Sequence, residues 1–210
     1  MNREKVKAIF DILANSIKNP ITELEFVNDF TLLVAIVLSA QSTDKGVNKA
    51  TAKLFQIAKT PQEFLDLGLE GLKNHIKTIG LFNSKAKNII KLCETLVQDY
   101  NGKVPNDFEK LVSLAGVGRK TANVWLNCVY KLPTMPVDTH VFRVANRIGL
   151  VKAKNVLQTE MQLLKIIPKE HLINAHHYLI LHGRYTCKAR KPDCKTCVIE
   201  SYCEFNAKTC

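Results

Sequence analysis

The sequence predicts an all-α protein. Apolar residues recur at intervals of three and four along most of the chain, as in the stripe Val6, Ile9, Phe10, Leu13 and Ile17, and this spacing places them on one face of a helix. No run of alternating apolar and polar residues is long enough to predict a strand. The patterns and caps predict helices at 4–17, 47–58, 84–99, 107–113, 119–130, 139–148 and 170–182.

Proline and cap residues set several of the helix ends. Asn19-Pro20 ends the first helix, because proline cannot continue the hydrogen-bond ladder. The segment 30–40 is apolar all round, so periodicity alone does not separate a buried helix from a buried strand. The helix at 107–113 is expected to begin near Asn106 or Asp107. Two prolines make 131–136 unfavourable for a helix, which suggests a boundary there.

Composition narrows the class of protein. The chain has 210 residues, of which 46% are apolar and 23% charged, and this excludes a disordered or collagen-like chain. Lys and Arg exceed Asp and Glu by 30 − 19 = +11, which favours a polyanionic partner, nucleic acid first and an anionic membrane surface second. The longest apolar run, Leu32–Leu38, is much shorter than the roughly 20 residues of a spanning helix. The mixed charges of residues 1–7 do not resemble a secretory signal, so we expect a cytoplasmic protein.

A glycine-containing turn separates two of the predicted helices. Gly116 and Gly118 are expected to adopt positive φ in a tight turn, and the next helix begins at once. The unpaired N–H groups of its first turn can receive a phosphate. Lys120 lies in that turn behind Arg119, and both features favour the neutral, nucleophilic amine. A plain helical corner with a solvated Lys120 remains an alternative, and Lys85 is the second candidate for a nucleophile.

Asp138 stands at the predicted start of helix 139–148, and Gly149 stands at its end. A carboxylate that accepts backbone N–H bonds stays ionised. Such a charge can stabilise a cationic transition state. A capping role alone also explains this aspartate. His140 lies two residues after Asp138, where it is either a proton relay or a solvent-facing residue.

Four cysteines lie close together near the end of the chain, in the pattern Cys187-x6-Cys194-x2-Cys197-x5-Cys203. Four thiolates can hold zinc or an iron–sulfur cluster. Zinc ribbons normally use two CxxC pairs and this chain has one, so the spacing slightly favours iron–sulfur. Cys210 lies outside the pattern and is expected to be a free thiol.

Three of these segments resemble one family. The string LxxLxGVGRKTAN (residues 111–123), the string VDTHVFR (137–143) and the x6, x2, x5 cysteine spacing are similar to those of the endonuclease III family of helix-hairpin-helix DNA repair glycosylases. The similarity extends from about residue 20 to 205 in motif order and spacing. Ala115 stands where the family usually has proline, and Phe82 where it more often has tyrosine.

The resemblance implies an architecture. The expected fold is the all-α, two-domain helix-hairpin-helix glycosylase fold. A six-helix barrel with the hairpin would occupy residues 22–132. Residues 1–21 and 133–210 would form a second, discontinuous domain with a structural [4Fe–4S] cluster on Cys187, Cys194, Cys197 and Cys203. DNA would lie across the cleft between the domains, where Lys120 and Asp138 would face each other.

The resemblance also implies roles for individual residues. Lys120 would be the nucleophile and Asp138 the second catalytic residue. Gln41 would fill the gap left by a flipped nucleotide, and Leu81 would open the base stack. The remaining DNA contacts would come from the hairpin, the Asp138 helix and the basic loop between the first two cysteines: Gly116, Gly118, Arg119, His140, Arg143, Lys188, Arg190 and Lys191.

The expected function is base-excision repair. The chain would remove oxidised pyrimidines from duplex DNA and cleave the strand as an AP lyase by β-elimination through a lysine Schiff base. Its partner would be double-stranded DNA with damaged pyrimidines or abasic sites, and we expect a monomer associated with the nucleoid. The alternatives are a mismatch or adenine glycosylase of the same superfamily, of which the adenine enzymes generally lack the lysine, and a non-catalytic DNA-binding module.

Overall fold

The fold consists of helices, as the sequence predicts. A computed structural model describes residues 1–209, and within them no strand occurs. The described helices are α1 (Arg3–Ser16), α2 (Asp29–Ser39), α3 (Asp44–Ile57), α4 (Pro61–Ile76), α5 (Phe82–Tyr100), α6 (Phe108–Ser113), α7 (Arg119–Tyr130), α8 (Thr139–Arg147), α9 (Val156–Ile166) and α10 (Lys169–Tyr185), followed by a 3-10 turn at Glu200–Tyr202. The helices predicted from the sequence are confirmed, with ends that differ by a few residues. Cys210 lies outside the described residues.

The ambiguous segment 30–40 is the buried helix α2. Its residues from Phe30 to Leu38 are all buried, which explains why no amphipathic period marks it. Asn28 and Thr31 form a reciprocal capping box at its start. The capping box at Asn28 and Thr31 is therefore the local feature that distinguishes a helix from a strand in this segment.

Two helices escape the sequence patterns. In α4, Gly68 adopts φ 72° and interrupts the helical path, so the apolar spacing changes register halfway. In α9, the buried face includes Thr159 and Glu160, while Leu157 and Met161 are exposed. Neither helix shows the single apolar stripe on which a prediction from spacing depends.

The chain forms two compact units, each with its own core. Residues 23–129, all of which the structure describes, make up one unit with helices α2 to α7. Helices α4 and α5 pack along each other, and α2 contacts both α3 and α5. Trp125, almost fully buried, donates its indole N–H to the Asp29 carbonyl at 2.8 Å, which joins α7 to the start of α2.

The other unit combines residues 1–22 with residues from 130 onwards. Helix α10 packs against α8 and α1. Phe10 and Leu13 of α1 meet Val144 of α8 and Leu179 of α10 in one buried cluster. The N-terminal helix thus packs with the C-terminal half of the chain because its apolar stripe completes that core.

Within the described residues, no helix combines the length and hydrophobicity required to cross a membrane.

Candidate active site and nucleic-acid interface

The glycine turn connects α6 to α7. Asp107 caps α6 by accepting the Lys110 N–H at 2.9 Å, and α7 begins at Arg119. Gly116 has φ +79°, and a Cβ at this position would lie 3.0 Å from Cβ of Asn88. Gly116 is therefore required both by its backbone conformation and by the close approach of α5.

Gly118 differs from the expectation of a positive φ. Its backbone lies outside the left-handed region, and a Cβ built on it would meet nothing within 4 Å. One left-handed glycine suffices for this turn, since Val117 between the two glycines is buried and donates its N–H to the Leu114 carbonyl at 3.1 Å. The absence of a side chain at Gly118 leaves the outer surface of the turn open.

Lys120 is exposed in the first turn of α7. Its neighbour Arg119 holds its guanidinium over the ring of Phe108, 5.2 Å from the ring centroid, a cation–π distance. The side chain of Arg119 is thereby packed against α6. The amine of Lys120 stands at the N-terminal end of a helix behind a turn with an open surface.

Gln41 and Leu81 occupy two neighbouring loops of the same unit. Both are exposed, and both adopt left-handed backbone conformations, with φ 55° and 59°. A Cβ built on Gly80 would lie 3.9 Å from the Gln41 carbonyl oxygen, so the loops are in close proximity. Left-handed conformations cost about 1–2 kcal/mol for residues other than glycine and tend to cluster at functional sites.

Lys85 is buried beside these two loops and is hydrogen-bonded to residues of both. It is only 6% exposed, and its ammonium donates to the Leu38 carbonyl at 2.9 Å and to the Ser42 hydroxyl at 3.0 Å. Its backbone N–H donates to the Leu81 carbonyl at 3.0 Å. Burial lowers the pKa of the Lys85 side chain. Its Nζ is therefore held inside the protein, which does not favour its alternative role as a nucleophile.

Asp138 caps α8, as predicted. Its half-buried carboxylate accepts the Val141 N–H at 2.8 Å, and its extended backbone is typical of an N-cap. Gly149 at the far end of the helix has φ +85°, and a Cβ there would collide with Glu204. The two predicted ends of this helix are thus confirmed.

Arg143 of α8 binds backbone oxygens next to the first cysteine of the cluster pattern. Arg143 donates to the Gly183 carbonyl at 2.7 Å and to the Cys187 carbonyl at 3.1 and 3.2 Å. Half-buried His140 contacts Arg143, with Nδ1 3.3 Å from its guanidinium. DNA contacts of His140 and Arg143 remain predictions, while the observed contacts of Arg143 support the fold.

The loop between Cys187 and Cys194 is held in place by Arg147. Its guanidinium donates to the carbonyls of Lys188, at 2.7 Å, and Ala189, at 3.2 Å. Lys188, Arg190 and Lys191 are all exposed. The loop therefore has an anchored backbone and three solvent-facing cations.

The four cysteines of the predicted cluster are free thiols in one region of the structure. Burial is the main cause that raises the pKa of both Cys197 and Cys203, and the charges of Cys187 and Cys194 raise it further in each case. Nε2 of His182 lies 3.8 Å from Cys197 Sγ, and burial lowers the pKa of His182 to about 4, so this imidazole is neutral at pH 7. Among residues 1–209, no group of three or more His, Cys, Asp or Glu side chains is arranged to hold a metal ion.

Comparison with known proteins shows to which family the chain belongs. The HhH-GPD superfamily of base excision DNA repair proteins matches residues 34–169. Endonuclease III of Rickettsia conorii is 60% identical over 205 residues, which cover 98% of each chain. The chain belongs to the endonuclease III family. Each predicted motif thus lies in a chain whose relatives match it over nearly the full length.

Solved structures of endonuclease III share this fold. The chain of a non-covalent endonuclease III–DNA complex superposes with a TM-score of 0.92 at 43% identity, over 97% of this chain and 96% of that one. A trapped covalent endonuclease III–DNA intermediate superposes with a TM-score of 0.91, at the same identity and coverage. The fold is therefore shared with endonuclease III structures that were solved with DNA.

Sequence patterns did not indicate the supporting roles of Lys85 and Arg147. Lys85 lies on the buried stripe of α5 with Ile89, Leu92 and Leu96, and a charged residue on an apolar stripe is a signal that the sequence already contained. Arg147 lies one helical turn after Arg143, but its carbonyl partners are about 40 residues away. No local pattern could have identified them.

Proposed function

We propose that this endonuclease III family member removes oxidised pyrimidines from duplex DNA, with Lys120 as the nucleophile and Asp138 as the catalytic carboxylate. The chain is a base-excision repair DNA glycosylase and AP lyase. The exposed amine of Lys120, immediately behind the Gly116 turn, is the observation that carries the assignment. It is the type of group that forms a covalent bond with a sugar carbon.

The reaction divides into base removal and strand cleavage. As the bond between C1′ and the base weakens, the sugar gains oxocarbenium character, which the carboxylate of Asp138 stabilises. The Lys120 nitrogen bonds to C1′, the base departs with the bonding electron pair, and Asp138 helps to take the proton that the amine loses. The C1′–O4′ bond of this amine adduct then breaks, O4′ takes up a proton and the sugar ring opens, which leaves a Schiff base between Lys120 and C1′. The Schiff base makes the C2′ proton acidic. Loss of this proton expels the 3′ phosphate by β-elimination.

Cations and two exposed loop residues would engage the duplex. Arg119, Lys188, Arg190 and Lys191 supply positive charge for phosphates, and the open surface at Gly118 lets a phosphate approach the N–H groups of α7. The left-handed conformations of Gln41 and Leu81 support their insertion at the extruded nucleotide. We expect the protein to act on DNA of the nucleoid.

The number and the chemistry of the four free cysteines match the ligand set of a [4Fe–4S] cluster. Thiols that raise one another's pKa remain protonated in isolation and become thiolates when they bind a cationic centre. Cys187, Cys194, Cys197 and Cys203 would hold the cluster. When bound, the cluster would provide structural cross-linking that fixes the basic loop.

Metal analysis of the purified protein tests this assignment. We expect brown protein with about four irons per chain and absorption near 400 nm, because four thiolates match one [4Fe–4S] cluster. Cys194→Ser should lose iron and weaken DNA binding, whereas Cys93→Ser, which alters a buried thiol of the other unit, should keep both. Colourless protein with stoichiometric zinc would contradict the assignment.

A panel of duplexes tests the substrate class. Thymine glycol and dihydrouracil should be excised with strand cleavage, and abasic sites should be cleaved, because the lyase step needs only the exposed C1′. Borohydride should trap the protein on each of these substrates by reducing the Schiff base. Efficient excision only from adenine or uracil mismatches would instead support a mismatch glycosylase, and failure to cleave abasic DNA would support a non-catalytic module.

A further inference from the structure

A buried lysine lies beneath the two residues that we propose to enter the base stack. Lys85 is 6% exposed, and both acceptors of its ammonium, the Leu38 carbonyl and the Ser42 hydroxyl, are neutral. Burying a cation without a carboxylate partner is costly. A methionine of similar length would avoid this cost, so core stability alone does not account for a lysine here.

The contacts of Lys85 bracket Gln41. Leu38 lies in the last turn of α2 and Ser42 follows Gln41 directly, so the ammonium holds the chain on both sides of this left-handed residue. The Leu38 carbonyl is also near the C-terminus of a helix, where a cation is favoured. The loop thus has its ends fixed to one point while the Gln41 side chain faces solvent.

The same residue also contacts the second loop. Leu81 occupies the N-cap position of α5 without a side-chain cap, in a left-handed conformation. The N–H of Lys85 donates to the Leu81 carbonyl at 3.0 Å. Leu81 is therefore bonded to Lys85 through the backbone of the first turn of α5, and Gln41 lies between the two acceptors of the Lys85 side chain.

We propose that Lys85 is a positioning residue that fixes the Gln41 and Leu81 loops relative to each other, so that both side chains enter the base stack together. The proposal rests on the proposed insertion of these two residues. With the loops tied, the cost of ordering them is met before DNA binds, so the enzyme opens the stack faster. Lys85 takes no part in the chemistry at C1′.

Two substrates separate positioning from chemistry. One is thymine glycol paired in a duplex; the other is the same lesion in a three-nucleotide unpaired bubble, where the stack is already open. K85M should slow single-turnover excision from the duplex by about tenfold, as a modest loss of transition-state stabilisation does. Excision from the bubble should change by less than about twofold. S42A, which removes one of the two acceptors, should show a smaller loss with the same preference.

The controls use matched changes. K91M makes the same substitution at an exposed position of α5 and should leave both rates unchanged. Q41A and L81A should show the duplex-selective loss that defines insertion. Melting temperatures establish that each variant is folded, and if K85M does not fold, S42A alone decides.

The outcomes are distinguishable. An equal loss on both substrates, or no loss on the duplex, in K85M overturns the positioning role of Lys85. If that happens while Q41A and L81A keep their selective loss, only the Lys85 proposal fails. If K85M, Q41A and L81A all affect the duplex and the bubble equally, the insertion role of Gln41 and Leu81 fails together with the Lys85 proposal.

Discussion

Replacing Lys120 by glutamine is expected to abolish borohydride-trapped protein–DNA adducts and to lower AP-lyase activity by at least about 10³-fold, the scale seen when a covalent nucleophile is removed. Glutamine and lysine have similar helix propensities, and the side chain is exposed in the first turn of α7. The fold should therefore persist. The measurement is single-turnover cleavage of abasic duplex, combined with trapping.

DNA binding separates the loss of a nucleophile from the loss of a contact. K120Q should retain affinity for an uncleavable abasic analogue within a few-fold, because one of several cations is removed. Lys53→Gln, an exposed lysine of α3, should trap like the unaltered protein. Trapped adducts that persist in K120Q would place the reacting amine elsewhere, and the buried, doubly hydrogen-bonded Nζ of Lys85 would be a poor substitute.

Asp138→Asn is expected to lower glycosylase turnover by about 10²–10³-fold, the effect of removing one preorganised electrostatic group. Asparagine caps helices as well as aspartate does. The Val141 N–H therefore keeps its acceptor while the negative charge is lost. Thymine glycol excision at saturating enzyme measures this effect.

Asp138→Ala supplies the matched comparison. Alanine cannot accept the Val141 N–H, so this variant should also lose about 1 kcal/mol of stability and about 2–4 °C in melting temperature. D138N should melt like the unaltered protein. If D138N turned over normally while D138A did not, the carboxylate would serve only as a cap.

The sequence predicted most of the helices because the buried residues of an amphipathic helix recur every three to four positions. It failed at α4, where Gly68 shifts the register, and at α9, where Thr159 and Glu160 face inward. It also predicted that Asp138 caps α8, which orients its carboxylate. Local signals of this kind depend on residues within one turn of each other.

Features that depend on distant contacts were not predictable. Lys85 meets Leu38 and Ser42 across more than 40 positions of sequence, and only the packing of α5 against α2 brings them together. Gly118 shows the opposite error. A glycine suggests an unusual backbone, but here the residue keeps ordinary torsions and provides open space.

The anchoring of the basic loop has an evolutionary consequence. Arg147 holds Lys188 and Ala189 through main-chain oxygens, which every amino acid possesses. Mutations at these positions can therefore alter the electrostatic character of the loop while its path stays constant. Natural drift or laboratory selection can tune this segment one charge at a time without redesigning its scaffold.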